Sequence, residues 1–299
     1  FFFKQKTAYE IYQCDWSSDV CSSDLGGRVG EGGQEHEGRA QGFAQVVGHV
    51  EAALAFHADV QQRQIGPVLT GQQDGVVPVV GVIGKNLSPL EKMTGACDVA
   101  DVSLAIDQMV QNPQCSRIAL QISSPGGTVT GVEELANKVR NISKPTMAYT
   151  DTEMASAAYW IGSAADKVVA SPSSTVGSVG VYMVVPDYSE AAKAQGIKMV
   201  VIKAGQHKAI GIPGTVVTPE QQAHLQEGVE AIWSDFKAGV LQTRKLVKAE
   251  DMEGQVFSGK QAAAKGLVTG LADSFDEAIA MWADNSVAPA PAVPAKRKN

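Results

Sequence analysis

From Val76 onward, runs of strand length rich in valine and isoleucine alternate with stretches of helical period, and no other feature constrains the fold as much. Strands that alternate with helices pair in parallel, because each connection has to cross the sheet before the next strand begins. The expected strands are Val76–Ile83, Arg117–Ile122, Thr146–Thr150, Lys167–Ala170, Val179–Val184 and Met199–Ile202. The first expected helix covers 98–111, with Val99, Val102, Ala105, Ile106 and Met109 apolar, and Pro113 stops it. In the second, Val132, Leu135, Ala136 and Val139 recur at helical spacing. An alanine-rich helix follows over 155–165, and another over 188–195. Thr218-Pro219-Glu220 supplies an N-cap and a proline at the first helical position. The long helix behind it carries Leu225, Val229, Ile232, Trp233, Phe236 and Val240 on one face, and shorter helices are expected near Lys260 and Phe275.

The two ends of the chain read differently. Residues 1–25 repeat Ser-Ser-Asp, match no structural period, and resemble the conceptual translation of a sequencing-library adapter. A secretory signal would need an apolar centre that this stretch lacks. Residues 26–75 open on a Gly- and charge-rich run that cannot bury enough apolar surface to order itself. They read as disordered or as a non-native frame, with one short helix conceivable over 44–56. Residues 286–299 form a Pro/Ala-rich tail expected to be disordered. The folded domain is therefore expected over 76–285.

Composition narrows the function classes. The chain has 299 residues and a formal net charge of -7, and an acidic balance argues against a nucleic-acid surface. Its longest apolar stretch, Val76 to Gly84, is interrupted by Pro78 and falls short of the roughly 18 residues of a membrane helix. Without the adapter-like segment only Cys97 and Cys115 remain, which lack metal spacing and read as reduced structural thiols. No cofactor or metal is expected.

Three short segments carry chemistry. Ser124-Pro125-Gly126-Gly127 lies between a buried strand and a helix, where glycines let backbone N–H groups point outward as an oxyanion nest. Taken singly it is also an ordinary glycine turn. Ser156, in Met154-Ala155-Ser156-Ala157-Ala158-Tyr159-Trp160, opens a helix among small residues, as a nucleophile with a neighbouring N–H donor requires. A serine tolerated at a tight helix contact would look the same. The third segment, Lys203-Ala204-Gly205-Gln206-His207-Lys208, offers a base. A lysine serves once its amine is deprotonated, and lowering it from about 10.4 to about 8 costs on the order of 3 kcal/mol. Such a cost makes sense in a pocket and none on a surface.

Together with Val176-Gly177-Ser178-Val179-Gly180-Val181, these segments resemble the signal peptide peptidase A family, over roughly Val76 to Asp284. The resemblance implies an α/β, Clp protease/crotonase-like fold built of repeated ββα units, with an extended C-terminal helical part. It implies a serine endopeptidase with Ser156 as nucleophile and Lys208 as general base. Gly126 or Gly127, together with the Ala157 N–H, would supply the oxyanion donors, and Ser178 would orient the lysine. Alanines at 157 and 158 stand where cellular members usually carry glycines. Alanine keeps the N–H, so the role survives. The half-length form resembles phage prohead proteases, which implies scaffold or capsid protein as substrate and a location in the bacterial cytoplasm or inside the prohead. It also implies a homo-oligomer, with Trp233 and Phe236 either joining the contact or packing on their own core. The remaining readings are a cellular peptidase that degrades signal peptides, a Ser-His-Asp peptidase using His207 or His224, a silent capsid-assembly protein, and a crotonase-like acyl-CoA enzyme.

Overall fold

The computed structural model describes residues Val68–Leu69 and Asp74–Asp284. The readings placed on residues 1–25, on the 44–56 helix and on the 286–299 tail fall outside these. The main sheet runs in the order β1 (Val68–Leu69), β2 (Asp74–Val80), β5 (Arg117–Ser123), β6 (Thr146–Thr150), β8 (Lys167–Ala170) and β11 (Gly270–Leu271). Every pair in it is parallel except β1 with β2. Because β1 pairs with the first residues of β2, the sheet begins ahead of Val76, inside the stretch expected to be disordered or non-native.

Two small sheets sit beside it. β3 (Ile83–Gly84) pairs in parallel with β4 (Cys97–Asp98). A three-stranded sheet places β9 (Thr175–Gly177) between β10 (Val256–Ser258) and β7 (Glu153–Ala155). The helices are α1 (Pro89–Met93), α2 (Val99–Gln111), α3 (Val132–Arg140), α4 (Ala157–Ser163), α5 (Ser189–Ala194), α6 (Pro219–Thr243), α7 (Gly259–Ala264) and α8 (Phe275–Ala283). The run β6–β7–α4 is one of the expected ββα units, and α6 to α8 are the expected C-terminal helical part.

Strand alternation sorts the core into two layers. Ile118, Leu120 and Ile122 of β5 face the larger cluster, which takes in Val102 and Ile106 of α2, Leu135 of α3 and Ile161 of α4. Ala119, between them, faces the other way with Met147, Tyr149 and Val169, under Ala278, Ile279 and Trp282 of α8. Burying a side chain of this size stabilises the fold by about 1.5–3 kcal/mol. At the sheet's rim the Asp74 carboxylate takes two hydrogen bonds from the Arg117 guanidinium, at 2.8 and 2.6 Å, and that guanidinium lies over the Trp282 ring.

Capping chemistry explains two helix starts. Thr218 accepts from the Gln221 N–H while the Gln221 side chain accepts from the Thr218 N–H, closing the expected N-terminus of α6. The Asp98 carboxylate caps α2 through the Ala100 N–H and also accepts from the Leu87 N–H, both at 2.9 Å. Within α6 only Phe236, Gly239 and Val240 are buried, so the face from Leu225 to Val229 is not the core stripe its spacing implies. Phe236 stacks on Trp160 of α4 at 4.6 Å and 8°, which assigns it to the core of its own chain.

Two expected strands are absent. Residues 179–184 and 199–202 form no ladder. The strand before the first of these ends at Gly177, because Gly177 and Ser178 take positive φ values of 117° and 55° that an extended run cannot accommodate. Met199 to Ile202 form an unbroken apolar run but pair with no strand among the described residues, and hydrogen-bonded pairing is what makes a strand. The alanine-rich helix also starts late, since Glu153–Ala155 is strand β7 and α4 begins only at Ala157.

Candidate active site

Ser156 occupies the single residue between β7 and α4, with φ 52° and ψ -124°. An L-residue held there stores on the order of 1–3 kcal/mol of strain, which persists only where the surroundings impose it. Two bonds impose it. The Ser156 N–H donates to Gly177 O at 2.9 Å, and Ser156 O accepts from the Trp160 N–H at 3.0 Å. The hydroxyl itself does not cap α4, so it is left for other chemistry. Ser156 thus sits at the apex of a sharp strand-to-helix turn.

The Ser124–Gly127 loop lies directly against this turn. A Cβ on Gly126 would come within 2.7 Å of Ser156 Cβ and 2.9 Å of Ala157 N, and Gly126 itself has φ 100°. Ser124 holds the loop from below. Its buried hydroxyl donates to Gly81 O at 2.6 Å and accepts from the Gly126 N–H at 3.1 Å. The Gly126 N–H is therefore occupied. Gly127 is bridged to Ile83, with Gly126 O accepting from the Ile83 N–H and Ile83 O accepting from the Thr128 N–H. In a parallel bridge of this pattern the Gly127 N–H points away from Ile83. The Ala157 N–H, first in α4, has no acceptor within its own helix. Of the two glycines named from sequence, Gly126 has its N–H taken by Ser124 Oγ and packs closely on Ser156, whereas the Gly127 N–H is not used in the bridge to Ile83.

Ser178 follows Gly177, whose carbonyl grips Ser156, so the β9 end brings both serines to one place. The Ser178 N–H donates to Gln255 O at 2.6 Å. Lys208 is placed differently from the sequence argument, which requires a buried amine. It is exposed, in a turn closed by its own N–H to Gly205 O at 3.2 Å. Among the described residues no hydrogen bond or ion pair joins its ammonium to Ser156 or Ser178. The surrounding segment explains the exposure: Ile197, Met199, Val200, Val201 and Ile202 are also bare, so the single chain provides no cover there. His207 and His224 stack on each other at 4.0 Å, which ties this turn to α6. Neither is brought to Ser156 by any hydrogen bond.

Sequence reasoning missed the residues that hold the site from a distance. Ser124 to Gly81, Gly127 to Ile83 and Ser178 to Gln255 are contacts between remote segments, and no local pattern announces them. Cys97 and Cys115 are buried free thiols, and burial pushes Cys97 up to about 12, so it is not a nucleophile. Among the described residues no His/Cys/Asp/Glu group is placed to hold a metal ion, and no helix is long and apolar enough to cross a membrane.

Known proteins similar to this chain include two proteases and one solved structure. A protein of Methanocaldococcus jannaschii named as a protease is 34% identical over 168 residues, covering 54% of this chain and 54% of that one. Capsid assembly protease C of Escherichia phage lambda is 28% identical over 211 residues, covering 69% of this chain and 48% of that protein. The chain thus spans about half the length of these relatives. A solved ClpP1 variant from Listeria monocytogenes is similar in fold with a TM-score of 0.44 at 16% identity, covering 68% of this chain and 93% of that one. The model of peptidase family S49 matches residues 138–287, half of the chain, which includes Ser156, Ser178 and Lys208. The chain belongs to peptidase family S49.

Proposed function

We propose that this chain is a serine endopeptidase working through Ser156 and Lys208. The observation that carries the reading is the strained turn at Ser156, with the glycine loop pressed against it and the Ala157 N–H free of its helix. In the proposed step the neutral Lys208 amine takes the Ser156 Oγ proton as Oγ bonds to the peptide carbonyl carbon. The carbonyl oxygen takes the negative charge facing the Gly127 and Ala157 N–H groups. The ammonium then returns the proton to the leaving amine as the C–N bond breaks, and water attacks the acyl-enzyme by the same route. Ser178 orients the amine.

Burial of the Lys208 turn is supplied by a second copy of the chain that covers the bare apolar run from Ile197 to Ile202. The name of the phage lambda relative supports a scaffold or capsid protein as substrate, cleaved in the bacterial cytoplasm or within a prohead.

The test is hydrolysis of fluorescein-labelled casein by the full chain, with Ser156→Ala, Lys208→Ala and His207→Ala variants across pH. We expect Ser156→Ala and Lys208→Ala to lose at least 100-fold of kcat, in the range that general acid–base catalysis contributes. His207→Ala should stay active, and activity should keep rising above pH 7, as an amine base requires. Activity retained by Ser156→Ala or Lys208→Ala defeats the assignment. A rise centred near pH 6.5 and abolished by His207→Ala moves the base to histidine.

A further inference from the structure

We propose that Trp233 is a positioning residue for this reaction, acting through Ser178; the inference rests on the orienting role given to Ser178 above. The β9–β10 ladder ends at the pair Gly177 and Val256. Past that point the chain carrying Ser178 is held by isolated bonds. The Ser178 N–H donates to Gln255 O, and Val179 O accepts from the Gly254 N–H at 3.0 Å. The Trp233 indole N–H closes the gap, lying 3.3 Å from Val179 O and 3.0 Å from Met252 O. One donor thus joins the two segments that diverge beyond the ladder, one residue after Ser178.

The donor is itself fixed. Phe236, three residues on along α6, is stacked on Trp160 of α4, so the face that carries Trp233 is anchored to the core beneath Ser156. Above the ring sits the Lys237 ammonium, 3.1 Å from its centroid. Ser178 has φ 55°, a conformation an L-residue keeps only when held from both sides. Gln255 holds it from one side. On the other, Gly177 is bonded to Ser156 and Val179 is bonded to Trp233. Without the indole N–H, Val179 O keeps only its bond from the Gly254 N–H and is no longer tied to Met252 O, so the segment just after Ser178 is held more loosely while Ser156 keeps its own bonds.

The experiment compares wild type, Trp233→Phe, Ser178→Ala and the double variant on fluorescein-labelled casein. Trp233→Phe is expected to lower kcat about 10-fold with KM unchanged, and to displace the rising limb of the pH profile, since the amine loses its fixed contact with Ser178. In the double variant it is expected to add nothing to Ser178→Ala, because two residues acting through one contact are not additive. Trp233→His keeps a ring N–H and is expected to recover kcat and the pH limb. Additive losses, an unmoved pH limb in Trp233→Phe, or a His variant as impaired as the Phe variant overturn the proposal. If Ser178→Ala changes neither kcat nor the pH limb, the role of Ser178 falls and the positioning role with it. The dependence of activity on Ser156 and Lys208 would still stand in that case.

Discussion

Gly126 and Ser156 touch while each holds a backbone conformation that side chains disfavour, with φ 100° and 52°. A methyl group on Gly126 has nowhere to go, because the Ser156 Cβ would be 2.7 Å away. Gly126→Ala is therefore expected to destabilise the fold by about 1–3 kcal/mol and to cost at least 10-fold in casein turnover. A variant that melts lower yet turns over normally would separate this contact from catalysis. Ser124→Ala tests the same loop from beneath. It leaves the Gly126 N–H and Gly81 O without their partner at a buried position, an expected loss of about 1–3 kcal/mol in urea unfolding. At this scale the sequence shows the residues whose own side chain or missing side chain sets the local turn, such as Ser156 and Gly126. It is silent on Ser124 Oγ and the Trp233 indole, whose partners lie far away along the chain.

Among the elements, β2, β5, β6 and β8 were legible because each packs on at least one core layer and repeats apolar residues to match. β7 was not, since three residues carry no period, and its Ala-rich continuation reads as helix. Helix α2 shows how an element end responds to pH. Burial pushes the Asp98 carboxyl upward, but the Ala100 and Leu87 N–H groups and the Lys92 ammonium outweigh it and hold the group below its ordinary range. A depressed carboxyl stabilises fully above its unfolded value near 3.9, and the contribution is lost as pH falls through the folded value. Asp98→Asn is expected to be weaker than wild type by about 1 kcal/mol at pH 7, with the difference shrinking at pH 3. Urea titrations at the two pH values decide it, and an equal gap at both would contradict the assigned charge. Where α6 crosses α4, a Cβ on Gly239 would come within 2.7 Å of Trp160 Nε1. Gly239→Ala is expected to cost about 1–3 kcal/mol by overpacking, read as a lower Tm.

For the whole molecule, the bare run from Ile197 to Ile202 is the feature that a lone copy leaves unresolved. Ile202 is 96% exposed and Val200 74%, in an apolar run flanked by Lys198 and Lys203. Light scattering of the full chain is expected to give a mass well above 31.4 kDa, and Ile202→Asp to give a lighter species with little casein hydrolysis. A monomer that hydrolyses casein at full rate would remove assembly from the scheme. The same bareness bears on handling. If copies must meet before the Lys208 turn is sheltered, dilution starves each of its neighbour, and turnover per molecule should climb with protein concentration until it levels off. A nanomolar stock would then look inert while a micromolar one works, which makes the amount synthesised a timer for when cutting starts.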